Sequence, residues 1–553
     1  MMRKLAFFIA ATGALSWPLP AAADTLIENV QGITIDEDGK VMRFTGLVVD
    51  DEGRVREVLD RNDERPTDID FQEDGKGRVM LPGMIDAHLH VMSLGIQALT
   101  LDLSDTTSLE QALGKIKQFA DDNPGRPWIL GGGWNQEKWG LGRFPTAADL
   151  DAVISDRPVW LERVDGHASW ANSNAMRRAG VDASAVDPTG GRVIRLPGSD
   201  EPSGVFVDTA AYLVGKVVPT PRPEDRDLAL RKAQQRLFAN GVTAAADMGT
   251  TIEDWQTFRR AGDNGTLKLR IMSYASSIDA MELIGGPAPT PWLYDDRLRL
   301  NGIKLYLDGA LGSRGASLKQ PYSDDPGNRG LPITSPAQLR NLMSRAALDN
   351  FQVAVHAIGD AANADLLNAI EELSESYTGD RRWRVEHAQI VDPTDIERFG
   401  KFGIIASMQP LHQTSDRLMA EARLGADRLD GAYAWRSIAA TGAKLAFGSD
   451  APVEPPHVMN GLAAAISRTD AQGNPFGGWL PQETVSREAA LRGFTSDAAF
   501  AGFADGRFGR LLPGERADFI LTDRDPLLSA PQDIRETVIF ETWINGERVY
   551  SRD

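Results

Sequence analysis

Cysteine is absent from all 553 residues. That removes disulfides, thiolate metal sites and cysteine nucleophiles together. Any metal must then be held by imidazole, carboxylate or a modified lysine. An oxidising compartment tolerates such a chain without requiring it. Long hydrophobic runs are also missing. Beyond the N-terminal segment nothing approaches the ~18 consecutive apolar residues of a bilayer-spanning helix. Positive charge is in deficit, with 59 Lys and Arg against 78 Asp and Glu, a formal net charge of −19. A surface of that sign repels phosphate backbones and anionic lipids, which argues against nucleic acid as a partner. The acidity itself is read as solubilising, because nothing ties it to a substrate. Internal repeats and low-complexity runs are lacking. Histidine is scarce too, with seven in the chain, so the setting of each one is informative.

The hydrophobic fraction of 42% and charged fraction of 25% are those of an ordinary soluble protein. The length suggests more than one domain. Residues 1–23 have the layout of a secretory signal peptide. Met1 to Lys4 is a short basic stretch, Leu5 to Leu15 is apolar, and Ala21-Ala22-Ala23 offers a cleavage site before Asp24. The expected location is therefore periplasmic or secreted, with no membrane association after signal cleavage.

Residues 24–80 and 496–553 read as short strands and turns. Asn545-Gly546 is a good two-residue hairpin turn before Glu547 to Tyr550. These two ends are expected to form one small β-sandwich. Residues 81–495 alternate apolar runs with helical patterns. The runs include Trp128 to Leu130, Pro158 to Leu161, Ile303 to Tyr306, Val353 to Val355 and Lys444 to Phe447. Such alternation predicts an α/β fold, a (β/α)8 TIM-type barrel with crossover helices. The stretch 134–212 is too long for a plain connecting loop. It contains a hairpin pattern at 190–194 and 202–206, and is expected to cover the substrate at the C-terminal face of the barrel.

His88 and His90 stand in LPGMIDAHLH. Residues i and i+2 of a strand point to the same side, so a strand-end H-x-H aims two imidazoles at one point. That suits a pair of zinc ligands; two half-buried histidines are the alternative. Further along the chain come GIKLYLDGALGSRGA with Lys304, VAVHAIGDAAN with His356, RVEHAQIVDP with His387 and FGSDAPVEP with Asp450. In this order and spacing the set resembles the amidohydrolase superfamily over nearly the whole mature chain. It is most similar to the amidohydrolase 3 branch, which includes N-substituted formamide deformylases. GGGWNQEKW and DGHASWAN also have counterparts there.

The resemblance implies a hydrolase of non-peptide C–N bonds in a small molecule, with one or two divalent metal ions, zinc first among them. It implies His88, His90, His356, His387 and Asp450 as ligands and Lys304 as a carboxylated bridge. From the residues alone, Lys304 is a lysine among apolar strand neighbours, costly if charged and unpaired, and Asp308 is an alternative partner for it. A carboxylate at position 450 can hold a metal and accept a proton from water. His167 and His412 are secondary catalytic candidates. Trp134, Asn135 and Trp139, following the flexible Gly131-Gly132-Gly133, are candidates for a substrate-pocket wall, and Arg314 for a polar substrate group. Glu454 and His457 are read as structural. The alternatives are an ester or phosphoester hydrolase on the same metal site, or a non-catalytic periplasmic ligand-binding relative. The expected partner is a small-molecule substrate, and a homodimer is left open.

Overall fold

Eight short, buried strands form one parallel sheet in a computed structural model that describes residues 24–552. The expected signal peptide, residues 1–23, lies outside the described residues. In sheet order, which is also chain order, the strands are Met84–Leu89, Val242–Thr250, Arg270–Ala275, Leu298–Tyr306, Gln352–Ala357, Arg384–His387, Ile405–Met408 and Lys444–Phe447. Each neighbouring pair is parallel. Strands buried on both faces read as continuous apolar runs, and parallel neighbours need crossover connections. The helices between them begin where the sequence supplies caps. Ser335 accepts from the Gln338 amide ahead of Pro336–Leu348, a helix with proline in its first turn.

The first and last strands complete a nearly closed barrel through side chains and loop backbone. Asp86 accepts from the Ser449 amide at 2.9 Å and from its hydroxyl at 2.5 Å. The Asp450 amide donates to the His88 carbonyl at 2.7 Å, and the His90 amide to the Ala451 carbonyl at 2.8 Å.

A second, six-stranded sheet is inserted between the first and second barrel strands. Its order is Gly191–Arg195, Pro202–Asp208, Ala168–Ala171, Val159–Arg163, Ile129–Trp134 and Leu101–Asp102. The apolar runs at 128–130 and 158–161 therefore belong to this inserted sheet, not to the barrel. Ile116, Ile129, Trp134, Trp139 and Trp170 form part of its own core.

The two ends of the chain do share a structure, and their hydrogen bonds define a single eight-stranded sheet. Phe519–Thr522 pairs antiparallel with Val79–Pro82, and that strand pairs in turn with Thr25–Ile35. The pairing joins the ends edge to edge, and Ile27, Leu47 and Val55 of one end share an apolar cluster with Phe519, Leu521 and Trp543 of the other. Asn545 and Gly546, both with positive φ, turn the final hairpin. Arg270 fastens this sheet to the barrel. Its guanidinium donates to both oxygens of Asp518 at 2.5 and 2.8 Å, with both side chains buried.

Candidate active site

Barrel strands deliver their last residues to one face. His88 lies near the end of the first strand and His90 just beyond it; Lys304 is on the fourth, His356 on the fifth, and His387 ends the sixth. Asp450 follows the eighth. His412 arrives on the first turn of Pro410–Leu424, the helix after the seventh strand. The structure brings all of these together. Donor atoms of His88, His90 and Asp450 lie within 4.8 Å of one another, and so do donors of His387, His412 and Asp450. Asp450 is common to both groups, with Oδ1 3.1 Å from His90 Nε2 and Oδ2 3.7 Å from His412 Nε2. The Lys304 amine is 3.3 Å from His88 Nε2; Asp308 is not its partner. Asp308 instead accepts backbone N–H groups of Ser317, Ile358 and Gly359, which holds the loop after His356.

The environment keeps the His88, His356 and His387 imidazoles neutral. Burial, then the nearby Lys304 charge, lowers His88 to about 4. Burial likewise holds His356 and His387 well below the ordinary histidine range. Burial would push the Asp450 carboxyl up, but the surrounding imidazoles hold it well below the usual carboxylate range. Burial lowers the Lys304 amine to about 8. Neutral imidazole and ionised carboxylate are the forms that bind metal.

Neighbouring groups also orient the rings. His88 Nδ1 donates to Glu386 Oε2 at 2.6 Å, and the Arg384 guanidinium grips Glu386 from the other side at 2.7 Å. Arg384 is held in turn by the Ala87 carbonyl, Tyr274 and Ser407. His387 Nδ1 donates to Gln409 Oε1 at 2.9 Å. Nε2 of each ring is then unprotonated, that of His88 facing the Lys304 amine, the arrangement of a metal-binding histidine with an oriented far nitrogen. His356 Nε2, His412 Nε2 and Asp450 Oδ1 are buried without a hydrogen-bond partner. Buried polar atoms are normally satisfied, so a convergent set left open fits a divalent cation. His387 at φ 75° and Asp450 at φ 61° adopt left-handed backbone conformations, which surrounding structure must impose on non-glycine residues.

The inserted sheet faces this cluster. His167 Nδ1 lies 2.7 Å from Asp208 Oδ1, and its ring centre lies 5.1 Å from that of His356. Burial would lower His167, but Asp208, with Asp165 and Asp308 behind it, raises it to about 9. A cavity of about 770 Å³ runs between the metal-ligand candidates and the insertion. A smaller one shares His167, His356, His387 and Asp450 with it and is also lined by Asn135, His412 and Glu454. Glu454, read from sequence as structural, is thus a cavity residue, and its carboxylate accepts from Ser415 at 2.6 Å.

Three candidates are placed elsewhere. Trp134 and Trp139 are buried in the insertion's own core, their indole N–H groups donating to the Leu161 carbonyl and to Thr106. Arg314 turns to Asp324 in a two-point ion pair at 2.9 and 3.2 Å. Glu386 and Arg384 were not singled out from sequence. The signal was there: two charges, i and i+2, inside the fully buried strand Arg384–His387.

Comparison with known proteins agrees with this geometry. "Protein LONG AFTER FAR-RED 3" of Arabidopsis thaliana is 34% identical over 493 residues, which is 86% of this chain and 83% of that protein. An N-substituted formamide deformylase of Arthrobacter pascens is 25% identical over 499 residues, 87% of this chain and 90% of that enzyme. A crystal structure described as an uncharacterized metal-dependent hydrolase from Pyrococcus horikoshii OT3 superposes with a TM-score of 0.74 at 26% identity, covering 92% of this chain and 99% of that one. The amidohydrolase family profile matches residues 73–550, and with that match spanning most of its length the chain belongs to the amidohydrolase family.

Proposed function

We propose that this protein is a metal-dependent hydrolase that cleaves a non-peptide C–N bond, an amide, formamide or cyclic amide, in a small molecule. The observation that carries the reading is the convergence of His90, Lys304, His356, His387 and Asp450 on one cavity, with His88 buried beside Lys304 and Asp450 and with His356 Nε2 and Asp450 Oδ1 buried without a hydrogen bond. The named activity of the formamide deformylase relative supports the choice of bond.

His88, His90 and Asp450 are assigned to one zinc or similar divalent ion, and His356 and His387 to a second. Lys304, carboxylated, is assigned as the bridge; its lowered amine pKa favours the neutral nitrogen that reacts with carbon dioxide. Ions held there would lower the pKa of water towards ~7 and polarise a substrate carbonyl. Asp450, ionised and shared between both donor groups, accepts the proton of the attacking water and returns it to the leaving nitrogen. His167, braced by Asp208, donates a hydrogen bond to the oxygen on which charge develops. His412, 3.7 Å from Asp450, is assigned to hold the substrate. The inserted sheet limits water at the reacting atoms.

The test is elemental analysis of wild type beside Lys304→Ala, with a hydrolysis screen over formamides, amides, esters and phosphotriesters. About two divalent ions per wild-type chain, falling in the variant, with turnover of amides abolished by chelation, is the expected result. Turnover confined to esters or phosphotriesters would remove the C–N assignment. One ion per chain, unchanged in the variant, would remove the bridging role of Lys304.

A further inference from the structure

The cavity of about 770 Å³ is within the range of small-molecule sites. Its floor is the metal-ligand cluster, with His90, Lys304, His356 and Asp450 all on its lining. Its far wall is the inserted sheet, which contributes Leu130, Gly131, Gly132 and Trp160 beside the charged Glu162, Arg163 and Asp165. Glu162 lies on Val159–Arg163 in register with Gly132 of one neighbouring strand and Ser169 of the other. Paired residues share a face of the sheet, and so do residues two apart. Trp160, also on the cavity lining, is therefore beside Glu162 on the same face.

The Glu162 side chain is exposed on the wall of the cavity. Among the described residues no hydrogen bond or ion pair reaches its carboxylate. The other carboxylates on this lining are occupied: Asp165 is paired with Arg163, and Asp450 belongs to the metal-ligand cluster. The glycine run accounts for the room around Glu162. A β-carbon at Gly132 would stand 3.1 Å from the Glu162 carbonyl and 3.4 Å from its Cβ, so the wall beside the carboxylate stays bare.

A carboxylate on a ligand-cavity wall with no protein partner is open to a charge-assisted hydrogen bond from a cationic ligand. Trp160, mostly packed against Phe206 but still on the cavity lining, favours the same kind of ligand, since cations are attracted to indole rings. We infer that Glu162 is a specificity-determining residue and that the substrate is a cationic small molecule. Its amidinium, guanidinium or ammonium end sits against Glu162 and Trp160 while its scissile C–N bond lies over the metal-ligand cluster. The assignment rests on the proposed hydrolase reading for the second half of that statement only; recognition of the cation by Glu162 is a binding property and is tested as one.

The experiment is calorimetric titration of the metal-loaded protein with an isosteric pair, phenethylguanidinium and phenethylurea, in wild type, Glu162→Gln and Glu162→Lys. Elemental analysis of each variant checks that the metal cluster is intact. Because the two probes share their shape, their affinity ratio isolates the charge. Wild type is expected to prefer the guanidinium by about 10-fold or more. Glu162→Gln should bring the ratio close to one, and Glu162→Lys should invert it, with metal content unchanged in both. A wild-type ratio near one, a preference that survives Glu162→Gln, or no measurable guanidinium binding would each overturn the inference. Amide hydrolysis without cation preference would sink this inference and leave the proposed reaction standing. Cation preference in a protein that hydrolyses no amide would do the reverse.

Discussion

A β-carbon placed on Gly448 would stand 2.5 Å from the backbone nitrogen of His88 and 2.9 Å from its carbonyl oxygen. The loop that carries Asp450 therefore meets the strand that carries His88 backbone to backbone, and only glycine permits the approach. Gly448→Ala must push the two apart, at a cost of ~1–3 kcal/mol by the usual penalty for overpacking. Because both halves of the metal-ligand cluster flank this contact, metal content should fall with stability. Denaturant unfolding and elemental analysis of the variant check the two together; an unchanged metal content would show that the contact does not set the position of Asp450.

Glu386 holds His88 by its Nδ1 nitrogen and is itself held by Arg384, all three buried. Burial opposes the ionised Glu386 carboxyl, but Arg384 and His88 draw it down to about 2. Glu386→Gln keeps the shape and loses the charge. Metal affinity is expected to drop by about 10- to 100-fold, the usual effect of removing an orienting partner, and competition with a chelator of known affinity measures it. Denaturation of the variant should also show the cost of leaving Arg384 unpaired.

The buried pair Arg270–Asp518 makes a sharper prediction about stability. Arg270→Met alone strands a buried carboxylate and should cost about 3–5 kcal/mol. Arg270→Met with Asp518→Leu removes both charges and should recover most of that loss. Urea midpoints of wild type, both single variants and the double variant complete the cycle. Additive losses in the double variant would show that the pair does not act as a unit.

Lys319 reaches Asp392 at 2.7 Å and Asp395 at 3.0 Å, bracing the loop after Lys304 against the loop after His387. Its hydrogen bond, with those of Thr394, holds the Asp392 carboxyl at about 2. A carboxyl with a depressed folded-state pKa adds stability above its unfolded value near ~3.9, and that stability is lost as the pH falls through the folded value. The difference in unfolding midpoint between wild type and Asp392→Asn should thus be steady from pH 7 to pH 5 and shrink towards pH 2. Both side chains are partly exposed, with 35% and 27% of their surface open to solvent, so the effect at neutral pH should be no more than about 1 kcal/mol.

The metal-ligand candidates were legible in the sequence because each ends a short apolar strand or follows one closely, and parallel barrels deliver strand ends to one face. Lys304 was legible for the same reason: a lysine between Ile303 and Leu305 must be buried. The inserted sheet was harder. Trp134 and Trp139 stand next to a glycine run that invited a pocket, yet the insertion has a core of its own to fill and takes both indoles into it. Trp128 to Leu130 and Pro158 to Leu161 show buried-strand patterns, but a pattern does not say which sheet the strand joins. Glu162 could not be recognised at all, since its meaning depends on a cavity made by a different strand and a different layer. The shared sheet of the two ends was foreseen in its membership and not in its pairing, because edge-to-edge and face-to-face association use the same alternating residues.

His88 and Asp450 come from the first and last strands of the barrel. A chain still emerging from the ribosome therefore has imidazoles but no assembled site. A product terminated anywhere before position 450 never gains the shared carboxylate, and a metal ion offered to it meets only scattered ligands. On the proposed metal assignment, ion capture requires both ends of the barrel to be made and brought together, so the ion content of a preparation should follow barrel closure.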